Sequence, residues 1–381
     1  MNSAERILTA LDHKEPDRIP FDLGATHSTG INVHAYSALL KHLGIEDEVK
    51  LTNLSSQLAD VGDQLRDRWK IDTKGLFPRS PSTWKLKIEE EGDYLSYYDE
   101  WGIKWMMPKE GGHYYDMREH PLQGCTIEDL DKFPWPNPRD AARVEGLRDE
   151  AIKARESGRA VLMGGTIGNG FLHTGNWLEG YEDFFSDLAG DPDKACKLMD
   201  KVLELKLEYW DMVLEEIGDL IHIVCELDDL GTQGGPLISP DMYRRLIKPR
   251  QQQLYSFIKK RAPHAKIFYH SCGSVYHFIG DLIEAGVDIL NPVQVAAADM
   301  DSKRLKKEFG NDIVFWGGGV DTQRVLPYGT PQEVRDEVKR RIDDLAPGGG
   351  FVFATVHNIQ GDVPPENIVA MWETLQEYGR Y

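Results

Sequence analysis

Lys266–Ile267–Phe268–Tyr269–His270–Ser271–Cys272–Gly273 is an apolar, strand-like run that ends in His-x-Cys-Gly. Along a strand, residues i and i+2 share a face, so His270 and Cys272 point the same way. An imidazole and a thiol converging at a strand end suit a soft divalent metal, zinc first. Two ligands do not make a site, and a third must come from elsewhere. The structural alternative for an isolated pair is a buried Cys beside a hydrogen-bonded His at a turn.

Around this strand the chain alternates. Helical spacing over 139–157 precedes an apolar run at 160–164. Helices near 181–190 and 192–216 precede 222–226, and 240–261 precedes 266–270. Helix 275–285 precedes 287–291, 301–309 precedes 313–317, 331–345 precedes 350–354, and 365–377 closes the chain. Continuous apolar strands alternating with amphipathic helices predict a parallel sheet covered by helices. Counting 19–23 and one unrecognised early strand, about eight units result, which is the number in a (β/α)8 TIM barrel. No Gly-x-Gly-x-x-Gly turn opens a helix after an early strand, which argues against a dinucleotide-binding open sheet.

Other segments have a different texture. The spacing at 54–69 is helical. Residues 74–118 alternate aromatic and β-branched residues with charges, as in Trp84–Lys85–Leu86–Lys87–Ile88 and Gly102–Ile103–Lys104–Trp105–Met106. This predicts an antiparallel β meander inserted into a single domain spanning 1–381. Its aromatics serve either to pack that small sheet onto its neighbour, the preferred expectation, or to line a pocket mouth.

The totals narrow the function. A formal net charge of −19 argues against a nucleic-acid surface, which needs concentrated Lys and Arg. Four cysteines, Cys125, Cys196, Cys225 and Cys272, form no disulfide framework and favour a reducing compartment. No apolar run approaches the roughly 18–20 residues that span a bilayer. Met1–Asn2–Ser3–Ala4–Glu5–Arg6 leads into an amphipathic helix without a signal-peptide layout. The expectation is a cytoplasmic protein with no nucleic-acid or membrane partner, and a homodimer stays open.

In a barrel of this kind the site lies at the C-terminal ends of the strands. There the chain offers His27 after the first strand, then Asn169, His173 and Asn176, then Glu226, Asp228, Asp229 and Gln233. His270 and Cys272 follow, then Gln294, Asp321 and His357. His357 is the best third ligand, because its strand would lie near residue 270 once the ring closes. Two imidazoles and a thiolate are compatible with zinc that keeps an open fourth position. Glu226, Asp229 and Asn176 are the candidate catalytic residues. His27, Asn169, His173, Gln233, Gln294 and Asp321 are the candidate substrate contacts.

Several of these stretches resemble the uroporphyrinogen decarboxylase superfamily, most closely its branch of zinc-dependent, corrinoid-linked methyltransferases of the methylcobamide:coenzyme M type. The likeness is carried by Glu5–Arg6–Ile7–Leu8–Thr9–Ala10–Leu11, by His270–Ser271–Cys272–Gly273, and by Ala285–Gly286–Val287–Asp288–Ile289–Leu290–Asn291–Pro292–Val293–Gln294. Gly318–Gly319–Val320–Asp321 and Pro364–Pro365–Glu366–Asn367–Ile368 add to it. The resemblance implies a (β/α)8 barrel over nearly the full length.

Two departures matter. The decarboxylases carry an Arg-rich Met-Arg-Gln-Ala-Gly-Arg segment after the first strand that grips substrate carboxylates. Here that region reads Phe21–Asp22–Leu23–Gly24–Ala25–Thr26–His27–Ser28. The methyltransferase branch takes its third zinc ligand from a Cys nine residues before the Glu of the last helix motif, and nine residues before Glu366 stands His357. The resemblance therefore implies Zn2+ on His270, Cys272 and His357, and a corrinoid on a separate partner protein. The expected reaction moves a methyl group between that corrinoid and a methyl ether, a methylamine or a thiol. Two alternatives remain: a metal-free, uroporphyrinogen decarboxylase-like lyase, and a non-catalytic tetrapyrrole- or corrinoid-binding protein.

Overall fold

The computed structural model describes residues 1–381. Thr73–Leu76, Ala160–Met163, Ile223–Leu227, Lys266–His270, Ile289–Asn291, Val314–Trp316 and Phe351–Val352 lie side by side in chain order in one seven-stranded sheet. All neighbours are parallel. Residues 20–22 bond to both edges. Phe353 N donates to Pro20 O and Asp22 N to Phe353 O, each at 2.9 Å, while Asp72 N donates to Phe21 O at 2.8 Å. With this short eighth stave the sheet closes into the TIM barrel that the alternation predicts.

Strand alternation sorts the side chains. Ala160, Leu162, Ile223, Cys225, Phe268, Ile289, Val314, Trp316, Val352 and Ala354 fill the barrel interior as one buried cluster, joined by Ile7, Ala10 and Leu11 of helix Ser3–Leu11. The opposite parity, including Val224, Ile267, Tyr269, Leu290 and Phe315, packs under the outer helices. Helix Ser3–Leu11 covers the N-terminal end of the barrel. Its cap is Asn2, whose side chain accepts from Glu5 N while the Glu5 side chain accepts from Asn2 N.

Several boundaries differ from expectation. Thr73–Leu76, counted with the meander in the sequence, is the missed early barrel strand. The antiparallel sheet comprises Glu89–Glu91, Tyr94–Tyr98, Lys104–Pro108 and Asp116–Glu119. The spacing at 54–69 yields a helix only over Asp63–Trp69, preceded by the short paired strands Leu51–Asn53 and Leu58–Ala59. The helix expected from 139 starts at Leu147, because Gly146 takes a left-handed φ of 72°. Within 240–261 a wide π turn at Tyr243–Ile247 precedes Lys248–Arg261. Pro249, with no N–H and a ring that crowds the carbonyl four residues earlier, accounts for it.

The small sheet is held by aromatic packing. Trp105 meets Trp177 edge-on at 5.2 Å, and Trp101 meets Trp135 at 6.4 Å. Both Trp101 and Trp105 are buried. No helix is long and apolar enough to cross a membrane.

Candidate metal centre

His270 ends its strand with the inward parity of Phe268, so its ring enters the C-terminal mouth. Cys272 follows in the loop, with its Sγ 3.3 Å from His270 Nε2. His357 comes from the loop after Phe351–Val352, and the two imidazoles lie 5.5 Å apart between centroids. The ligand atoms of His270, Cys272 and His357 all fall within 4.8 Å of one another. One cation can therefore be reached by two ring nitrogens and one sulfur, a donor set that suits zinc.

The neighbours orient those rings. Asn291 Nδ2 donates to Trp316 O at 2.8 Å, which fixes its amide and turns Oδ1 to His270 Nδ1 at 2.6 Å. On the other side Gln360 Nε2 donates to Asn358 Oδ1, which also faces His357 Nδ1 at 2.8 Å. Each imidazole thus carries its proton on Nδ1 and presents the Nε2 lone pair, the arrangement a metal-binding His takes from its outer partners. Replacing Asn291 with Leu is expected to weaken zinc binding about 10–100-fold. Competition against a chromophoric chelator measures this, and unchanged affinity would remove the orienting role.

Asp229 stands behind the sulfur. Its Oδ1 accepts from Cys272 N at 2.7 Å, and its Oδ2 lies 3.3 Å from His173 Nε2. Burial opposes its charge, but His173, His270 and the Cys272 N–H outweigh this and hold its carboxyl far below the usual range. Burial pushes the Cys272 thiol well up, helped by Asp229. Burial also lowers His270 to about 4, leaving the neutral imidazole that a metal requires. A bound cation would reverse the thiol's preference.

The uroporphyrinogen decarboxylase (URO-D) family model matches residues 102–378. The chain belongs to the uroporphyrinogen decarboxylase family. A uroporphyrinogen decarboxylase of Alkalilimnicola ehrlichii is 23% identical over 389 aligned positions, covering 98% of this chain and 93% of that protein. The enzyme of the same name from Geobacter sulfurreducens is 24% identical over 267 positions, or 68% and 71% of the two chains. Among solved structures, a methyltransferase from Methanosarcina mazei superposes with a TM-score of 0.65 at 17% identity, covering 99% of each chain, a likeness of fold.

In this family member the other candidate residues divide. Glu226 does not face the mouth. It has the parity of Val224 and lies under helix Pro192–Ile217, where Lys206 Nζ at 2.8 Å, Trp210 Nε1 at 2.6 Å and Thr166 Oγ1 at 3.1 Å take up its carboxylate. Glu226 is thus one half of a buried ion pair with Lys206. Gln294 Oε1 accepts from Gly273 N at 2.6 Å and so holds the Cys272 loop. Gln233 is exposed on its loop. Asp321 accepts from Gln323 N in a local turn. Asn169 N bonds Thr174 Oγ1. Asn176 is buried with its Oδ1 unpartnered. His27 stacks on Phe77 at 4.6 Å.

Asn291 and Asp228 stand at strand ends in the sequence, but their supporting roles do not show there. Asn291 is the register partner of His270 on the next strand, and its inward parity with Ile289 was the available signal. Asp228 accepts from Leu172 N at 2.9 Å and His173 N at 2.8 Å, and so anchors helix Phe171–Glu179, which carries His173 and Asn176. Gly170 permits this, because a Cβ there would lie 2.1 Å from Asp228 Cγ.

The far end of that helix holds a charge cluster. Glu179 lies 3.6 Å from Lys194 Nζ, which also meets Asp187 at 2.8 Å, and Cys125 Sγ lies 3.9 Å from Glu179. Burial, reinforced by Asp187, pushes the Glu179 carboxyl up to about 8. The folded state then binds a proton that the unfolded chain has released. Stability from this group is full at low pH and is lost as pH rises from about 5 to about 8. Urea unfolding across that range should show the fall, and Glu179→Gln should flatten it.

Proposed function

We propose that this chain is a zinc-dependent methyltransferase that moves a methyl group between a small substrate and the cobalt of a corrinoid carried by a separate protein. The carrying observation is the convergence of His270, Cys272 and His357, whose ligand atoms lie within 4.8 Å of one another while the Nδ1 atom of each ring faces an Asn Oδ1. Zinc, when bound there, supplies Lewis acidity at the substrate heteroatom. His270, Cys272 and His357 hold it, and Asn291 and Asn358 keep the two rings in the ligating tautomer. Asp229 fixes the Cys272 backbone and accepts from His173 beside the three convergent side chains. With a methyl ether or methylamine, the methyl group leaves without the bonding pair, which stays on oxygen or nitrogen, and a reduced corrinoid accepts it as the electron-pair donor. With a thiol acceptor the transfer runs the other way.

The test supplies methyl ethers, methylamines and thiols with a corrinoid protein and follows the cobalt absorbance. Turnover that stops on chelation and returns with zinc supports the proposal, and turnover indifferent to chelators removes it.

The curated relatives favour a second reading, a metal-free decarboxylase. Against it, no arginine lies between Arg18 and Arg66. Arg66 is itself buried and donates to the backbone carbonyls of Val61, Leu23 and Thr73. No arginine of that segment is free to grip substrate carboxylates. Carbon dioxide release from a porphyrinogen in the presence of chelator would favour this reading over the transferase.

A further inference from the structure

His27 lies on the loop that runs beside the His357 loop. Ile359 N donates to Gly30 O at 2.9 Å and Asn32 N to Ile359 O at 2.8 Å, so the two loops are stitched together within five residues of His27 and two of His357. Thr26 caps the tight turn His27–Thr29 and fixes its start. The His27 ring stacks nearly parallel on Phe77, with 6° between planes. Phe77 in turn covers the end of strand Ala160–Met163, where a Cβ on Gly164 would come within 3.1 Å of it. The His27 ring is thus clamped at the barrel mouth.

Its hydrogen-bonding role is fixed as well. Asn53 Oδ1 accepts from Ser56 N at 2.8 Å and from Ser55 Oγ at 3.0 Å, so the amide oxygen is identified and the other atom must be the NH2. That NH2 faces His27 Nδ1 at 3.3 Å. Nδ1 therefore accepts, and the ring proton sits on Nε2. Protonating both nitrogens would set an N–H against the Asn53 NH2. Burial acts in the same direction and lowers His27 to about 4. Nε2 is buried and has no acceptor within the protein. A buried donor without a partner costs about 1–3 kcal/mol, which a ligand oxygen can recover.

We infer that His27 selects the substrate class of the proposed methyl transfer, donating from Nε2 to an oxygen acceptor on a methoxy compound and disfavouring methylammonium compounds. A fixed donor rewards ether, hydroxyl or carboxylate oxygen and repels a cation whose own hydrogens point at it. Asp229, the carboxylate beside the metal group, is already occupied by Cys272 N and His173 and is a poor counter-charge for an ammonium. This inference rests on the methyl-transfer reading, but its tests are separable from those of that reading.

Two measurements on the full zinc-loaded chain decide it. The first is the 15N shift pattern of the His27 ring at neutral pH, expected to show Nε2 protonated and Nδ1 bare. The reverse pattern overturns the inference whatever the enzyme does. The second is equilibrium binding of 2-methoxyphenol, methoxyacetate, methylammonium and trimethylammonium to wild type, His27→Phe and His27→Gln. Phe keeps the stack and lacks the donor, whereas Gln restores an N–H. The methoxy probes should bind wild type more tightly than the ammonium probes, lose about tenfold in His27→Phe and regain part in His27→Gln. Equal or tighter ammonium binding, unchanged methoxy affinity in His27→Phe, or no binding of either methoxy probe overturns it. Zinc content and chelator sensitivity, which do not involve His27, report separately on the methyl-transfer reading.

Discussion

Cys272→Ala is expected to take the bound zinc from about one ion per chain to nearly none, and methyl transfer with it. The thiolate is the only sulfur and the only anionic donor in the group, and its Sγ lies 3.3 Å from His270 Nε2. Two neutral imidazoles alone leave a cation with little charge compensation. His357→Cys should behave differently and keep the metal, because a second thiolate stays within zinc's ligand range. Metal analysis of purified wild type and both variants, with folding checked by thermal unfolding, measures this. Equal zinc in wild type and Cys272→Ala would end the proposed mechanism.

Lys206→Met should cost about 3–5 kcal/mol of stability, because it leaves the Glu226 carboxylate buried without its cation. The two side chains are 1% and 2% exposed and 2.8 Å apart, sealed between strand Ile223–Leu227 and helix Pro192–Ile217. The double variant Lys206→Met with Glu226→Gln should recover most of the loss. Its amide oxygen still accepts from Trp210 Nε1 and Thr166 Oγ1, and no net charge remains buried. Urea unfolding of the two variants separates these outcomes. A stable Lys206→Met chain that has lost activity would instead return Glu226 to a direct chemical role.

The barrel was legible because its signal is repetitive. Runs such as 160–164 and 313–317 are apolar throughout, and buried parallel strands require that. Thr73–Leu76 escaped because Thr-Lys-Gly-Leu is short and carries a charge, and it adjoins the aromatic meander. The convergence of His270, Cys272 and His357 was legible because two of them sit at i and i+2, and the third follows a strand that closure brings close. Glu226 lies under the outer helices for a reason visible in the same alternation. Cys225 occupies the inward parity there, so its neighbour must point to the helices. The supports were harder to read. Asn291 acts through a register with His270, and Asp228 through backbone N–H groups of a distant helix; local sequence carries neither relation.

Asp228 and Asp229 are consecutive, yet they tie down different parts of the mouth. The first grips the start of the helix bearing His173, and the second grips the turn bearing Cys272. Both anchors grow from the end of one barrel strand, so that strand keeps the two pieces in step. Surface segments that touch neither anchor can then be exchanged or lengthened without moving the two pieces apart. A scaffold tethered in this way lends itself to retargeting by loop grafting, with the Asp–Asp pair left untouched.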